Sequence, residues 1–459
     1  MILSDQTARS QRYFVIGIIL ISFAVSSWAI TWYRGVYNST TVFEWVEAVA
    51  LFAAFVAYAL AFVWFSRPEA KISIRFFLPV ALLCGIVLLL GFPPAGSDFY
   101  FYIFSDRAWL IHNQNPYLVS PAVIPTDSIA PLSDWPLLAN QHGPLRLFIT
   151  APLALFFSGS IVATVVTYQF FYTGLFLLLV LLVYLTARQI NVSNAGYLGG
   201  LVALNPLVLY ELYRNGAGPD VLMMVLVFGS LLLAAHRRWV EMFVALAAAV
   251  ATKYVPVLLL PLFFIYTFTK IDGKRRRLLP TIGLGVGAAV VISSFSLFWV
   301  GPETLDSFWF VSRYFGTNSV PGLIALLISS VDSRFILASV MPILTAAYAA
   351  AYAGLIGWFI RLRHKTFEML VVSCSLVFLA YFLLAKFWFY PKHLIWLIPL
   401  LLLSGQRARL VALFLTGFVV ASPLHFDLII FSVIPPTVVF SIAWLVHRYA
   451  RGYAKAIDL

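Results

Sequence analysis

An all-α, polytopic integral membrane protein is the fold class this sequence predicts. Three observations lead to it: the composition, the recurrence of long apolar runs, and the uneven distribution of basic residues between alternate loops. Of the 459 residues, 62% are apolar and only 10% charged, with a mean hydropathy of +0.95. A soluble domain is about 45–50% apolar and about 25% charged, so a soluble enzyme, a disordered chain and a disulfide scaffold are excluded together. The net charge of +12 therefore bears first on membrane orientation; nucleic acid is not an expected partner.

A bilayer core about 30 Å thick needs about 20 apolar residues in a helix rising about 1.5 Å per residue. By that measure the chain offers about fourteen (12 to 14) spans, near residues 13–33, 43–65, 75–95, 160–187, 195–213, 220–235, 240–252, 254–269, 279–300, 336–360, 367–387, 392–404, 408–424 and 428–447. The first follows Arg9 and Arg12 and reads as a signal anchor, since it is long enough to cross. The runs around 240–269 and 392–424 are short and broken by proline, so each is either a pair of tilted helices or a re-entrant hairpin. Cys84 and Cys374 lie inside apolar runs as small buried hydrophobes and imply no disulfide or metal site.

With the N-terminus inside, 21 of the 30 Lys and Arg residues fall on the cytoplasmic side, eight fall outside and one, Lys253, lies within the membrane. That asymmetry follows the positive-inside rule and puts both termini in the cytoplasm of a multi-pass plasma-membrane protein. The chain, 1–459, reads as a single transmembrane domain. Its two long non-spanning stretches, loops 96–159 and 301–334, both fall outside and carry rings such as Tyr100, Trp109 and Trp309, which suits interfacial helices.

The sharpest local pattern is Gly96-Ser97-Asp98-Phe99-Tyr100-Phe101-Tyr102, followed by Asp106, Arg107, Trp109 and Asn113-Gln114-Asn115-Pro116-Tyr117. Asp98 stands where the third span leaves the membrane. A half-sheltered carboxylate there has raised proton affinity and suits a general base; equally, it suits an N-terminal helix cap. Together with Trp135 and His142-Gly143-Pro144-Leu145, this order resembles the first outer loop of GT-C membrane glycosyltransferases. It is most similar to bacterial polyprenyl-phosphate-mannose-dependent α-mannosyltransferases. Two departures are Gln114, where glycine precedes Asn-Pro-Tyr, and His142, where tyrosine is usual. Asn205-Pro206, Asn215 to Asp220 and Lys253 to Pro256 resemble further landmarks of that family.

The resemblance implies a GT-C-type fold and an inverting hexosyltransferase that moves mannose from polyprenyl phosphate to a lipid or glycan acceptor, with Asp98 as base. No nucleotide or metal cofactor is expected: there is no glycine-rich phosphate loop, and no His-x-x-x-His or paired-Asp motif on the outer face. A departing lipid phosphate needs positive charge. The outer cations are therefore candidate substrate-binding residues: Arg107, Arg146, Arg214, Arg313, Lys386 and Lys392, with His142 and His393 beside them. Asp106 joins them as a further polar group of the first outer loop. Lys253 is expected to face protein, a phosphate or an acid such as Asp220 or Glu211, because an unpaired cation within the bilayer costs about 2.5–3.5 kcal/mol. Asp220 either caps its helix or holds sugar hydroxyls. The rival class is a transporter or flippase of a lipid-linked precursor, which would place polar groups near the midplane between repeated halves; no matching halves are visible.

Overall fold

The computed structural model describes residues 13–28, 41–65, 73–91, 93, 97–190, 192, 194–271, 273, 275–306, 319, 340–386 and 389–421. Among them are sixteen α-helices and no strand, only an isolated bridge between Ser97 and Ser133. In chain order the helices are α1 Tyr13–Trp28, α2 Thr41–Phe65, α3 Ile74–Leu89, α4 Asp98–Leu110, α5 Pro144–Thr150, α6 Ile161–Gln189, α7 Ala195–Ala203 and α8 Pro206–Arg214. Then come α9 Gly218–Ala235, α10 Trp239–Thr252, α11 Leu260–Lys270, α12 Arg275–Ser296, α13 Met341–Arg361, α14 Phe367–Leu384, α15 Leu394–Leu403 and α16 Gln406–Ala421. The expected run 428–447, Arg313 and most of the loop 301–334 lie outside the described residues.

Among the described residues, by length and composition six helices can cross a membrane, within α2, α6, α9, α12, α13 and α14, or up to seven if the bent pair α7–α8 is one span. Local chemistry shortens three of the expected runs. At Asn205-Pro206 one span is bent by 40°: Asn205 accepts from the Val208 amide (3.0 Å) and Pro206, lacking an N–H, starts α8. The run 254–269 opens as a 3₁₀ turn, Val255–Leu259, before α11, and the run 392–404 opens as the turn Pro391–His393 before α15. Irregular backbone of this kind is tolerated at membrane depth only where protein covers it, and Pro256, Leu259 and the whole of α15 are buried.

At the centre, α6 packs on α7 and α9, and α9 on α10. Helix packing inside a membrane depends on close backbone approach at small residues; at Gly200 of α7, an added Cβ would meet the Phe77 ring of α3. Apolar residues of α2, α6 and α12, such as Val49, Phe170 and Ile292, point outward. The first long loop is packed into the protein. Residues Phe99–Ala108 of α4 are buried on every face, because α4 lies beneath Ala130–Leu132 and Ala151–Leu155 and against α5, with the Phe99 ring 6.5 Å from that of Tyr172 in α6. Exposed apolar side chains of the loop include Val123 and Leu137 and the consecutive Leu155, Phe156 and Phe157 just before α6 begins.

Candidate active site

Four backbone features bring distant residues together at one end of the bundle. Asp98 occupies the first turn of α4, after Ser97, whose bridge to Ser133 holds the segment carrying Trp135 across the helix start. The turn before α9 passes close to the same point: Gly216 has φ +70°, and a Cβ there would collide with the backbone of Phe99. Asp220 follows in the first turn of α9. Lys253 caps the C-terminal end of α10 and Lys392 sits in the turn Pro391–His393.

Asp98 does not cap α4, whose N-cap is Ser97. Its Oδ1 accepts from Trp135 Nε1 at 2.7 Å, and its Oδ2 accepts from the Tyr102 hydroxyl at 3.3 Å and pairs with Lys392 Nζ. The Asp98 side chain is 15% exposed and that of Lys392 only 4%. The raised proton affinity expected from shelter is not what the geometry gives. Burial does push the carboxyl up, but the charge and hydrogen bond of Lys392, with Trp135 beside them, outweigh it and hold Asp98 below its ordinary value. Lys392 Nζ also lies 3.3 Å from the Tyr102 hydroxyl and over the rings of Tyr102 (5.6 Å) and Tyr390 (5.3 Å).

A second carboxylate–lysine pair is built in the same way. Lys253 Nζ donates to Asp220 Oδ1 at 2.6 Å, so the cost of burying its charge is offset by a fully buried acid. Trp396 Nε1 donates to the same oxygen, while Asp220 Oδ2 is buried without a hydrogen-bond partner. The Trp396 ring lies near two cations, Lys253 Nζ at 4.9 Å and Lys386 Nζ at 5.8 Å, and packs 4.9 Å from the His393 ring. His393 Nδ1 accepts from the Tyr390 amide (2.9 Å) and so fixes the turn that carries Lys392.

Around Tyr102 these pairs meet a third group. Arg146 lies over the Tyr102 ring at 5.5 Å and donates to Asp106 Oδ1 (3.0 Å), to Thr150 Oγ1 and to Asn140 Oδ1; the Tyr168 hydroxyl donates to Asp106 Oδ2 at 2.8 Å. The His142 ring stands edge-on to Tyr102 at 4.9 Å, with both ring nitrogens buried and unpartnered. Burial, then the charges of Lys253, Arg146, Lys392 and Lys386, holds this imidazole well below its ordinary range, so at neutral pH it is uncharged.

Of the sequence-predicted residues, Asp98, Asp106, His142, Arg146, Asp220, Lys253, Lys386, Lys392 and His393 therefore belong to one connected cluster. Two others are engaged differently. Arg107 pairs with buried Asp127 (2.8 Å), to which His112 also bonds (2.6 Å), and donates to the Ser158 carbonyl, tying the loop together. Arg214 donates to the Leu88 and Gly91 carbonyls and to Ser27, joining α8 to α3 and α1. No group of three or more His, Cys, Asp and Glu side chains among the described residues could hold a metal ion. Trp396 was absent from the expected set. No local signal singles it out, since its indole N–H meets Asp220, 176 positions away.

The family model for alpha-(1->6)-mannopyranosyltransferases of the MptA/B family, N-terminal domain, matches residues 14–269, more than half of the chain. No curated protein and no solved structure matches it. The matched segment holds Asp98, His142, Asp220 and Lys253, with Lys386, Lys392 and Trp396 contributed from beyond it. A buried, doubly paired carboxylate cluster at one end of an apolar helix bundle is in keeping with that match, and the chain belongs to the alpha-(1->6)-mannopyranosyltransferase family.

Proposed function

We propose that the protein is a GT-C-type inverting enzyme of the plasma membrane. In this reading it transfers mannose from polyprenyl phosphate to a hydroxyl of a lipid-linked glycan or glycolipid on the outer side, with Asp98 as general base. The single observation that carries this reading is the Asp98–Lys392 pair, held beside Asp220–Lys253 at one mouth of the bundle. The acceptor oxygen attacks the anomeric carbon and its proton passes to Asp98. The bond from that carbon to the phosphate oxygen breaks and its electron pair leaves with polyprenyl phosphate. The linkage in the family's name, alpha-(1->6), points to the primary hydroxyl of a mannoside as acceptor; inversion then requires a β-linked donor.

The resting pair explains how the base is made ready. Lys392 satisfies Asp98 while no anion is present. A phosphate that takes a share of Lys392 removes the countercharge that holds Asp98 ionised, and the proton affinity of Asp98 rises as the acceptor is bound. Lys253 and Lys386 supply further positive charge for the leaving group.

Labelled polyprenyl-phosphate mannose, supplied to proteoliposomes with an acyl α-mannoside, tests the scheme. Wild type is expected to transfer the label and Asp98→Asn to lose transfer. Unchanged transfer in the variant removes Asp98 from the mechanism, and transfer from GDP-mannose alone overturns the lipid donor. Movement of labelled lipid across the bilayer without transfer supports the flippase.

A further inference from the structure

The His142 side chain is separable from the rest of its loop. Its backbone holds the loop in shape: the carbonyl accepts from the Tyr117 hydroxyl (2.6 Å) and from Asn140 Nδ2 (3.0 Å), and the amide meets Asn140 Oδ1 at 3.4 Å. The imidazole has none of these bonds. It is 94% buried by its 6% exposure, it presses on the ring whose hydroxyl touches Asp98, and neither nitrogen has a partner. Two orphaned buried polar atoms on one ring are costly, so they mark a place where a ligand is expected to supply the missing bonds.

The chemistry of that ligand follows from what the ring offers. An uncharged imidazole presents one N–H donor and one lone-pair acceptor. A fully ionised phosphate monoester, as in sugar-free polyprenyl phosphate, can use only the donor, because its oxygens are all acceptors. A sugar hydroxyl can use the acceptor. A glycosyl phosphate presents both within a few ångströms, and the nearby cations Lys253, Arg146, Lys392 and Lys386 favour its anionic part. Asp220 Oδ2, also buried and unpartnered, is a second acceptor in the cluster for a hydroxyl.

We propose that His142 binds the junction of the donor, its N–H to a phosphoryl oxygen and its other nitrogen accepting from a hydroxyl of the sugar, and so distinguishes sugar-loaded from sugar-free polyprenyl phosphate. This inference rests on the polyprenyl-phosphate reading above. Binding is measured in nanodiscs without acceptor, using labelled polyprenyl-phosphate mannose and labelled polyprenyl phosphate, on wild type, His142→Phe and His142→Gln. Phenylalanine keeps the ring against Tyr102 but neither polar atom; glutamine keeps a donor and an acceptor.

With two bonds lost, His142→Phe is expected to bind the mannosyl lipid about 10- to 100-fold more weakly, and the sugar-free lipid, which loses one bond, at most about tenfold more weakly. His142→Gln is expected to recover most of the loss, which separates a binding role from a folding defect. Equal losses for both lipids overturn the junction assignment, and unaltered binding in His142→Phe overturns any contact. Both results leave the donor reading standing. Wild type that binds neither lipid overturns that reading and this inference with it.

Discussion

Removing either partner of the Asp98–Lys392 pair strands a charge in a place built for two. The Lys392 side chain is only 4% exposed, so Asp98→Asn leaves an ammonium with hydroxyl and ring contacts from Tyr102 but no anion. Lys392→Met leaves a carboxylate with Trp135 and Tyr102 alone. Breaking a buried pair this way costs about 3–5 kcal/mol, whereas replacing both partners by uncharged groups of similar size is close to neutral. Asp98 retains 15% exposure, which puts its stranded form at the lower end. The double variant should therefore be more stable than either single, with a coupling energy of about 2–3 kcal/mol, near the top of the range for residues in direct contact. Thermal midpoints taken in one detergent at one scan rate give the comparison: a loss of several degrees in each single and partial recovery in the double. If Asp98 is the base proposed above, transfer activity should not recover, because general-base catalysis is worth about 10²–10⁴-fold. Additive midpoint losses would refute the pairing argument, and a double variant that regains transfer would refute the role of Asp98.

The depressed affinity of Asp98 for protons fixes the sign of a pH effect. Stability from its ionised form is fully present above the ordinary carboxyl value of about 3.9 and is lost as pH falls through the lower folded value. The acid limb of kcat/KM should accordingly lie below about pH 4 in wild type and move to higher pH in Lys392→Met, where burial acts with less opposition; pH–rate profiles of the two proteins check this. Gly143→Ala should destabilise by about 1–3 kcal/mol, as overpacking does, because a Cβ there collides with the Ala251 carbonyl; the thermal midpoint reports it. Asp127→Asn should cost about 3–5 kcal/mol by leaving buried Arg107 without its anion, and limited proteolysis between residues 111 and 143 should accelerate.

Much of this was legible in the chain and the rest was not, for physical reasons. Helices arise from runs of apolar residues and from caps such as Asn205 and Thr366, all local signals, so the runs from 13 to 424 correspond to helices wherever the structure describes them. Crossing is another matter. It depends on unbroken length, and Pro206, Pro256 and the turn at Pro391 shorten helices that hydropathy alone joins up. Asp98 and Lys253 stood out because a charge beside or inside an apolar run demands a reason. Asp220 was one of two acids expected to face Lys253, and it is the one that pairs with it; the partner of Asp98 was not foreseen. Lys392 lies 294 positions from Asp98, and no spacing rule connects them. Shelter alone argued for a raised carboxyl in Asp98, and only the position of Lys392 reverses the sign. Trp396 escaped notice because tryptophan in an apolar run is ordinary until its indole N–H is seen on Asp220.

Gly143 also fixes where the loop 96–159 meets the helix bundle. Its amide donates to the Thr252 carbonyl at 3.0 Å, and its missing side chain lets the backbone of the loop lie directly on the end of α10. The neighbours on either strand of this seam are His142 and Lys253. One side chain of each chemistry, a neutral ring and an ammonium, is thus stitched one residue from a backbone bond that joins loop to bundle. A displacement of the loop from α10 would break this bond and part His142 from Lys253.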